Sequence, residues 1–271
     1  MTVQIYTFSG TGNSLHVARE LQRRLPGATV LPMVGALRDG RLASEAEVIG
    51  LVFPIHAMTL PALVRRFLER VDLRSAEYVF AVSTRLCWDK VFADVDSILA
   101  RKGKALDAAF AVETPCNYIP IFTLPSQEEM AEMEEKLERN LEAIQSAVTE
   151  RRPSRETQGV ILSLLGRAIS AVVAFWFRSV RFPNMERSFH ADARCTGCGV
   201  CERVCLAERI RIQDGRPVWV DDVPCTHCFA CLHYCPMQAV QIRGRKTQAK
   251  GRYHHPTVNA NDIAGQKRWG P

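Results

Sequence analysis

No basic segment followed by an apolar run of signal length opens this chain; "MTVQIYTF" enters a strand directly. The expectation is a cytoplasmic protein whose thiols stay reduced, so its ten cysteines argue for metal ligation and against disulfides. Net charge is also missing from most of the chain. Seven basic residues and one acidic residue lie between Arg243 and Pro271, which accounts for the whole formal charge of +6 and leaves residues 1–242 neutral. Nucleic-acid binding wants a basic face on a folded domain, and none is written here. A short basic tail reads instead as a solvated end or a docking strand for an acidic partner. Disorder of the whole chain is excluded by 47% hydrophobic and 24% charged residues, and 271 residues suggest two domains and a connector.

What is present is a regular array of cysteines. Cys195, Cys198, Cys201 and Cys205 form C-x-x-C-x-x-C-x-x-x-C, and Cys225, Cys228, Cys231 and Cys235 repeat it, the second time followed by Pro236. This is the spacing of a two-cluster ferredoxin, in which the fourth cysteine of each run ligates the other cluster. One 4Fe-4S cluster is thus expected on Cys195, Cys198, Cys201 and Cys235, and another on Cys225, Cys228, Cys231 and Cys205. A pair of zinc sites is the competing reading; it would leave the third cysteine of each triplet surplus. Leu206 replaces the proline usual after the first run, which removes no ligand.

The start of the chain carries a second signal, again marked by absences. "YTFSGTGNSL" ends a strand in two glycines and several hydroxyl and amide side chains, a turn suited to an anion at a helix N-terminus. It lacks the lysine of a P-loop, and Leu15 stands where a dinucleotide fingerprint needs its third glycine. A phosphate would be held by Ser9, Thr11, Asn13 and Ser14, with Gly10 and Gly12 allowing close backbone approach. Strand-like runs ("VQIYTF", "TVLPMV", "EVIGLVFPI", "YVFAVST", "ALDAAFAVE") alternate with helical patterns ("NSLHVARELQRRL", "LPALVRRFLERV", "KVFADVDSILARKG"), which predicts a doubly wound α/β domain with a parallel sheet. A last helix starts at Ser126, where Ser126 and Glu129 make a capping box, and runs to about Arg151.

The loop is similar to the FMN-phosphate loop of flavodoxins. More broadly, the chain resembles a family of flavodoxin-ferredoxin fusion proteins, on "FPIHAMTLPALVRRFL", "PCNYIP", both cysteine runs and "KGRYHHP". The resemblance implies a flavodoxin-like five-stranded sheet ordered 2-1-3-4-5 over residues 1–152. A connector would follow over 153–185, then a small α+β ferredoxin-like domain over 186–245, and the basic tail over 246–271. It also implies FMN, with Pro54, Ile55, His56, Ala57 and Met58 in a second flavin loop and Thr84 and Trp88 in a third. That third loop reads "STRLCWD" from Ser83 to Asp89, not the usual glycine-rich stretch; Trp88 would stack on the flavin ring and Arg85 would stabilise its reduced form. His56 stands where the family usually has an aromatic residue. Cys87 and Cys116 remain as incidental thiols.

Between the two halves, 14 of the 18 residues from Val160 to Phe177 are apolar. As a helix this stretch is slightly short of a bilayer core and carries Arg167 near its middle. It is read as a helix buried between domains or at a homodimer interface, or as one making peripheral membrane contact. In the tail, "KGRYHHP" shows no metal-ligand spacing and reads as a segment wrapping over a domain. Three functions follow. The first is an electron-transfer iron-sulfur flavoprotein working with a redox partner protein. The second is an FMN-dependent reductase with His56 or Tyr118 as proton donor. The third is a cluster-binding regulatory protein whose flavodoxin-like domain is empty.

Overall fold

A computed structural model of the chain describes residues 1–85, 91–155, 169, 171–173, 175–181 and 185–270. Strands β1 (Val3–Thr7), β2 (Ala28–Pro32), β3 (Val48–Pro54), β4 (Tyr78–Arg85), β5 (Ala108–Glu113) and β6 (Ser154–Arg155) form one sheet in the order β2-β1-β3-β4-β5-β6. All of its pairings are parallel. The expected five strands are therefore six: the chain leaving the last helix adds a two-residue edge strand beside β5, and the order runs one strand longer than expected. Helices α1 (Asn13–Arg24), α2 (Met33–Asp39), α3 (Ala62–Arg70), α4 (Val91–Ala100) and α5 (Gln127–Thr149) lie in the connections. The apolar run "TVLPMV" predicts a strand through Val34; the structure ends β2 at Pro32, whose missing N–H costs nothing at a helix start, and begins α2 there. At α5 the capping box is present, with Ser126 Oγ accepting from Glu129 N at 3.1 Å and Glu129 Oε2 accepting from Ser126 N at 2.7 Å.

Burial on both faces explains why these strands read as continuous apolar runs. Along β3, Val48 and Val52 join α1 and α5 in one core, while Ile49, Leu51 and Phe53 join the opposite one. Gly50 lies between them because a side chain there would meet the Phe80 ring. The second face does not stop at the sheet: its core continues into Val204, Leu206, Ala230 and Tyr234 of the cysteine region and into Val258 and Ile263 of the tail. The tail thus packs on the α/β part, as the wrapping reading expected. There it forms a short capped helix, α8 (Ala260–Gly265), tied by Arg19–Asp262 at 2.7 Å and by Gly35 N donating to Gln266 O at 2.9 Å.

Most of the apolar connector lies outside the described residues. Where it is described, Phe177–Arg181 forms a π-helical turn and Val172 and Phe175 are 70% and 72% exposed, so these two are not buried within the chain. Among the described residues no helix is long and apolar enough to cross a membrane.

Candidate metal centre

The two cysteine runs fold as copies of one another. In the first loop Gly197 and Gly199 take left-handed backbone, φ 70° and 75°; in the second, His227 and Phe229 take it at the same positions, φ 54° and 58°. A one-turn helix follows each, α6 (Val200–Arg203) and α7 (Ala230–His233), and carries the third cysteine. Three residues after each fourth cysteine comes another left-handed residue, Glu208 or Gln238, and then a strand, β8 (Ile210–Gln213) or β10 (Val240–Ile242). Left-handed residues between others of ordinary hand turn successive amides inward, toward sulfur. Non-glycine residues bear that conformation at about 1–2 kcal/mol each, held by the surrounding structure. At Gly197 no side chain fits, because a Cβ would run into the Gly215 carbonyl. Antiparallel pairs complete the frame, β7 (Phe189–Ala191) with β10 and β8 with β9 (Arg216–Trp219).

The thiols sort into two sets, and the sets cross between the runs. Cys195, Cys198, Cys201 and Cys235 line a single cavity, and the first, second and fourth of these all act electrostatically on Cys201. Cys205, Cys225 and Cys228 act on Cys231 in the same way, with Cys201 of the first set adding the smallest share. Each set draws three thiols from one run and its fourth from the other. Burial pushes the Cys201 thiol up to about 11 and raises those of Cys225, Cys228 and Cys231 as well, with neighbouring thiols adding to the effect. Such thiols do not ionise alone near neutral pH, which suits ligands that lose their protons to a metal and disfavours free nucleophiles. Backbone donors already point at the sulfurs: Arg209 N to Cys205 Sγ at 3.3 Å, His227 N to Cys225 Sγ at 3.3 Å and Ala239 N to Cys235 Sγ at 3.2 Å. The donor set, its crossing and these N–H···S contacts fit an iron-sulfur cluster at each set.

The two sets differ in surroundings. Cys198 is exposed, so the first set faces solvent. The second set backs onto the end of the parallel sheet, where a Cβ on Gly10 would overlap the Cys228 carbonyl. Beside it Arg209 is buried, 2% exposed, and pairs with Glu186 at 2.5 Å and Asp221 at 3.2 Å while donating to Val223 O. Glu186 also accepts from Cys225 N at 2.6 Å, so one carboxylate ties the buried cation to the loop of the second run. None of these residues carried a sequence signal.

The phosphate loop lies between β1 and α1, and several of its polar groups are used by the chain itself. Ser9 N donates to Gln266 Oε1 at 2.9 Å and Gln266 Nε2 donates to Ser9 O at 2.8 Å. Thr11 accepts from Asn117 Nδ2 on its hydroxyl and from His255 N at 2.8 Å on its carbonyl. Tyr253 OH donates to Asn13 Oδ1 at 2.8 Å, and Ser14 Oγ meets Thr84 Oγ1 at 2.7 Å. Ser9, Thr11, Asn13 and Ser14 are all buried, 1% to 6% exposed, and a Cβ on Gly12 would come within 2.9 Å of His255 Cβ. The tail and "PCNYIP" close over the loop and take up these hydrogen bonds, so an FMN phosphate would have to displace them. Of the expected cofactor contacts, Ser9, Thr11, Asn13, Ser14 and Thr84 thus spend side-chain or backbone hydrogen bonds on other parts of the chain, and Gly10 and Gly12 lie against Cys228 and His255.

The second loop is also enclosed by protein. Ala57 and Met58, φ 50° and 60°, form a tight turn closed by His56 N to Thr59 O at 3.0 Å and Thr59 N to His56 O at 3.2 Å. His56 is lowered to about 3 by burial and by His227, so this loop, with Pro54 and Ile55, faces the second cysteine run. Tyr118 sits apart from it, against the core of Met185, Phe189 and Phe229 in the cysteine region, with Phe229 at 5.3 Å and its hydroxyl 3.7 Å from Met185 Sδ. Trp88 and Cys87 lie outside the described residues; Cys116 is half-buried, its thiol raised by burial.

Residues 194–240 match the family model of a 4Fe-4S dicluster domain. The cysteine-rich part of the chain is a 4Fe-4S ferredoxin domain. Over 52 residues the chain is 39% identical to a component of the ion-translocating oxidoreductase complex of Methanosarcina acetivorans, a match covering 19% of each chain. Over 58 residues it is 34% identical to an NADH-quinone oxidoreductase subunit I of Campylobacter jejuni subsp. jejuni, covering 18% of this chain and 27% of that one. The similarity therefore spans less than a third of either relative.

Proposed function

We propose that the chain is an iron-sulfur electron-transfer protein with two 4Fe-4S clusters, one on Cys195, Cys198, Cys201 and Cys235 and the other on Cys225, Cys228, Cys231 and Cys205. Such clusters, when bound, exchange electrons one at a time. The observation that carries the reading is the crossing of the thiol sets, four sulfurs in each, which is what two 4Fe-4S clusters would need. A redox partner docks over exposed Cys198, and the second set, sealed against the sheet, is the inner site. Partner proteins of this kind are in keeping with relatives named as parts of oxidoreductase complexes. The parallel sheet acts without FMN as the platform on which the inner site is seated; the buried loop from Ser9 to Ser14 supports this and weighs against the reductase reading. Units divided near residues 152 and 186, with the tail belonging physically to the sheet, are part of the proposal.

Anaerobic purification with iron, sulfide and flavin counts tests it. About eight irons and eight sulfides per chain, with no flavin retained after incubation with FMN, is the expected result. Zinc in place of iron, about four irons, or stoichiometric FMN would overturn it.

A further inference from the structure

Among the described residues one group of metal-ligating side chains lies outside the cysteine runs: His16 on α1, Glu134 on α5 and His255 in the tail, with ligand atoms all within 4.8 Å of one another. The two imidazoles stack at 3.8 Å with 19° between their planes. They present the same edges to the same neighbours. Both Nδ1 atoms meet the hydroxyl of Thr257, at 3.1 Å from His16 and 2.9 Å from His255. Both Nε2 atoms face the Glu134 carboxylate, at 3.3 Å from Oε1 and 3.8 Å from Oε2. Both histidines are 6% exposed, while the Glu134 side chain is half open to solvent. His16 Nε2 is buried and, despite the nearby carboxylate, lacks a partner in hydrogen-bonding geometry.

Proton accounting shows what this arrangement lacks. Thr257 N donates to His255 Nδ1 at 3.3 Å, which places the His255 proton on Nε2. With the Thr257 hydroxyl also donating to that Nδ1, it accepts from His16 Nδ1, and a neutral His16 in this arrangement turns a bare lone pair at Nε2 toward a carboxylate oxygen. Two lone pairs 3.3 Å apart repel, and a positive centre between them removes the conflict. A hydroxyl oxygen has two acceptor sites, so Thr257 Oγ1 can take an N–H from both rings at the observed distances. That leaves both Nε2 atoms free to ligate, and it is the arrangement in which ligating histidines are usually held by an outer acceptor.

We propose that His16 Nε2, His255 Nε2 and the Glu134 carboxylate bind a divalent first-row transition ion of the zinc class, with Thr257 positioning both rings. Two imidazoles and a carboxylate are a ligand set for such ions, and the open side at Glu134 leaves room for water. On loading, the His255 proton passes from Nε2 to Nδ1 and the weak Thr257 N contact is given up, with no net proton change. The ion joins α1, α5 and the tail directly behind the Ser9–Ser14 loop, so it clamps the tail in place. No step of electron transfer depends on it.

The test uses the full chain carrying Cys87→Ser and Cys116→Ser, with its clusters loaded and its iron counted, so that cysteine sulfur is not available to the added metal. Titration with Zn2+ alone, followed by desalting and metal analysis, should give about one zinc per chain beyond the iron, with slower amide exchange across residues 253–268. Glu134→Gln and Thr257→Val, both at solvent-accessible positions, should each weaken zinc binding at least about tenfold at unchanged iron content. Glu138→Gln, one turn further along α5 and paired with Arg24, should leave it unchanged. Absence of zinc uptake above the iron, or equal affinity in this parent chain and both variants, would overturn the proposal and leave the iron count to stand or fall separately.

Discussion

Gln266 is the sharpest place to perturb the chain, because its amide satisfies both backbone groups of Ser9 across 257 residues of sequence. It is 3% exposed, so Gln266→Ala removes an acceptor from a buried N–H and a donor from a buried C=O at once. Each orphaned group costs about 1–3 kcal/mol, and water entering the vacated space offsets part, so the loop should open with about 2–5 kcal/mol less resistance. At about 1.4 kcal/mol per tenfold, amide exchange from Ser9 to Ser14 should quicken by roughly 30- to 4,000-fold. The assay is hydrogen exchange read by mass spectrometry on the cluster-loaded chain, with the far strand Ala108–Glu113 as internal reference. Exchange in the loop within about threefold of wild type would refute the reasoning that the tail's hydrogen bonds hold it closed.

Four further outcomes are expected. Cys235→Ser and Cys198→Ser should each remove the same solvent-facing cluster, whereas Cys205→Ser should remove the inner one, so iron remaining in Cys205→Ser is stripped fastest by a chelator; equal stripping in all three would contradict the crossing. Arg209→Met leaves Glu186 without its buried cation and should destabilise the chain by about 3–5 kcal/mol in a denaturant series, while lowering the reduction potential of the inner cluster in an electrochemical titration, because a positive charge beside it is lost. Gly10→Ala would drive a methyl into the Cys228 carbonyl and should cost about 1–3 kcal/mol; a thermal midpoint unchanged from wild type would count against this packing. Finally, His56 is held neutral with its folded value near 3 against an ordinary 6.5, so the unfolded chain takes up its proton first as pH falls. Its contribution is complete above about 6.5 and is lost on acidification toward 3, so His56→Gln should be less acid-sensitive across that window than wild type, as urea midpoints at stepped pH would reveal.

The legible parts of this protein are those whose signal is local. Cysteines three residues apart with a fourth beyond them must converge, whatever the rest of the chain does, and the left-handed residues at Gly197 and Gly199 recur in the second run even though His227 and Phe229 stand there. Strand and helix order was legible because burial on two faces imposes period and composition on short stretches, although α2 was hidden by a proline that ends a strand and starts a helix equally well. The phosphate loop shows the limit. Its residues, turn and position between β1 and α1 are those of an anion site, and the FMN expectation came from their resemblance to a flavodoxin loop.

What the sequence by itself determined is therefore the cysteine spacing of the ferredoxin domain and the alternation that builds a parallel sheet. Only the tertiary structure decided what fills the mouth of that sheet. Gln266, Asn117, Tyr253 and His255 come to Ser9, Thr11 and Asn13 from distant parts of the chain. The same packing joins His16, Glu134 and His255, three residues with no spacing in common. The physical reason is that a hydrogen-bond donor in a loop is indifferent to its partner: a phosphate and a side-chain amide satisfy it alike, and which one arrives depends on how the rest of the chain packs.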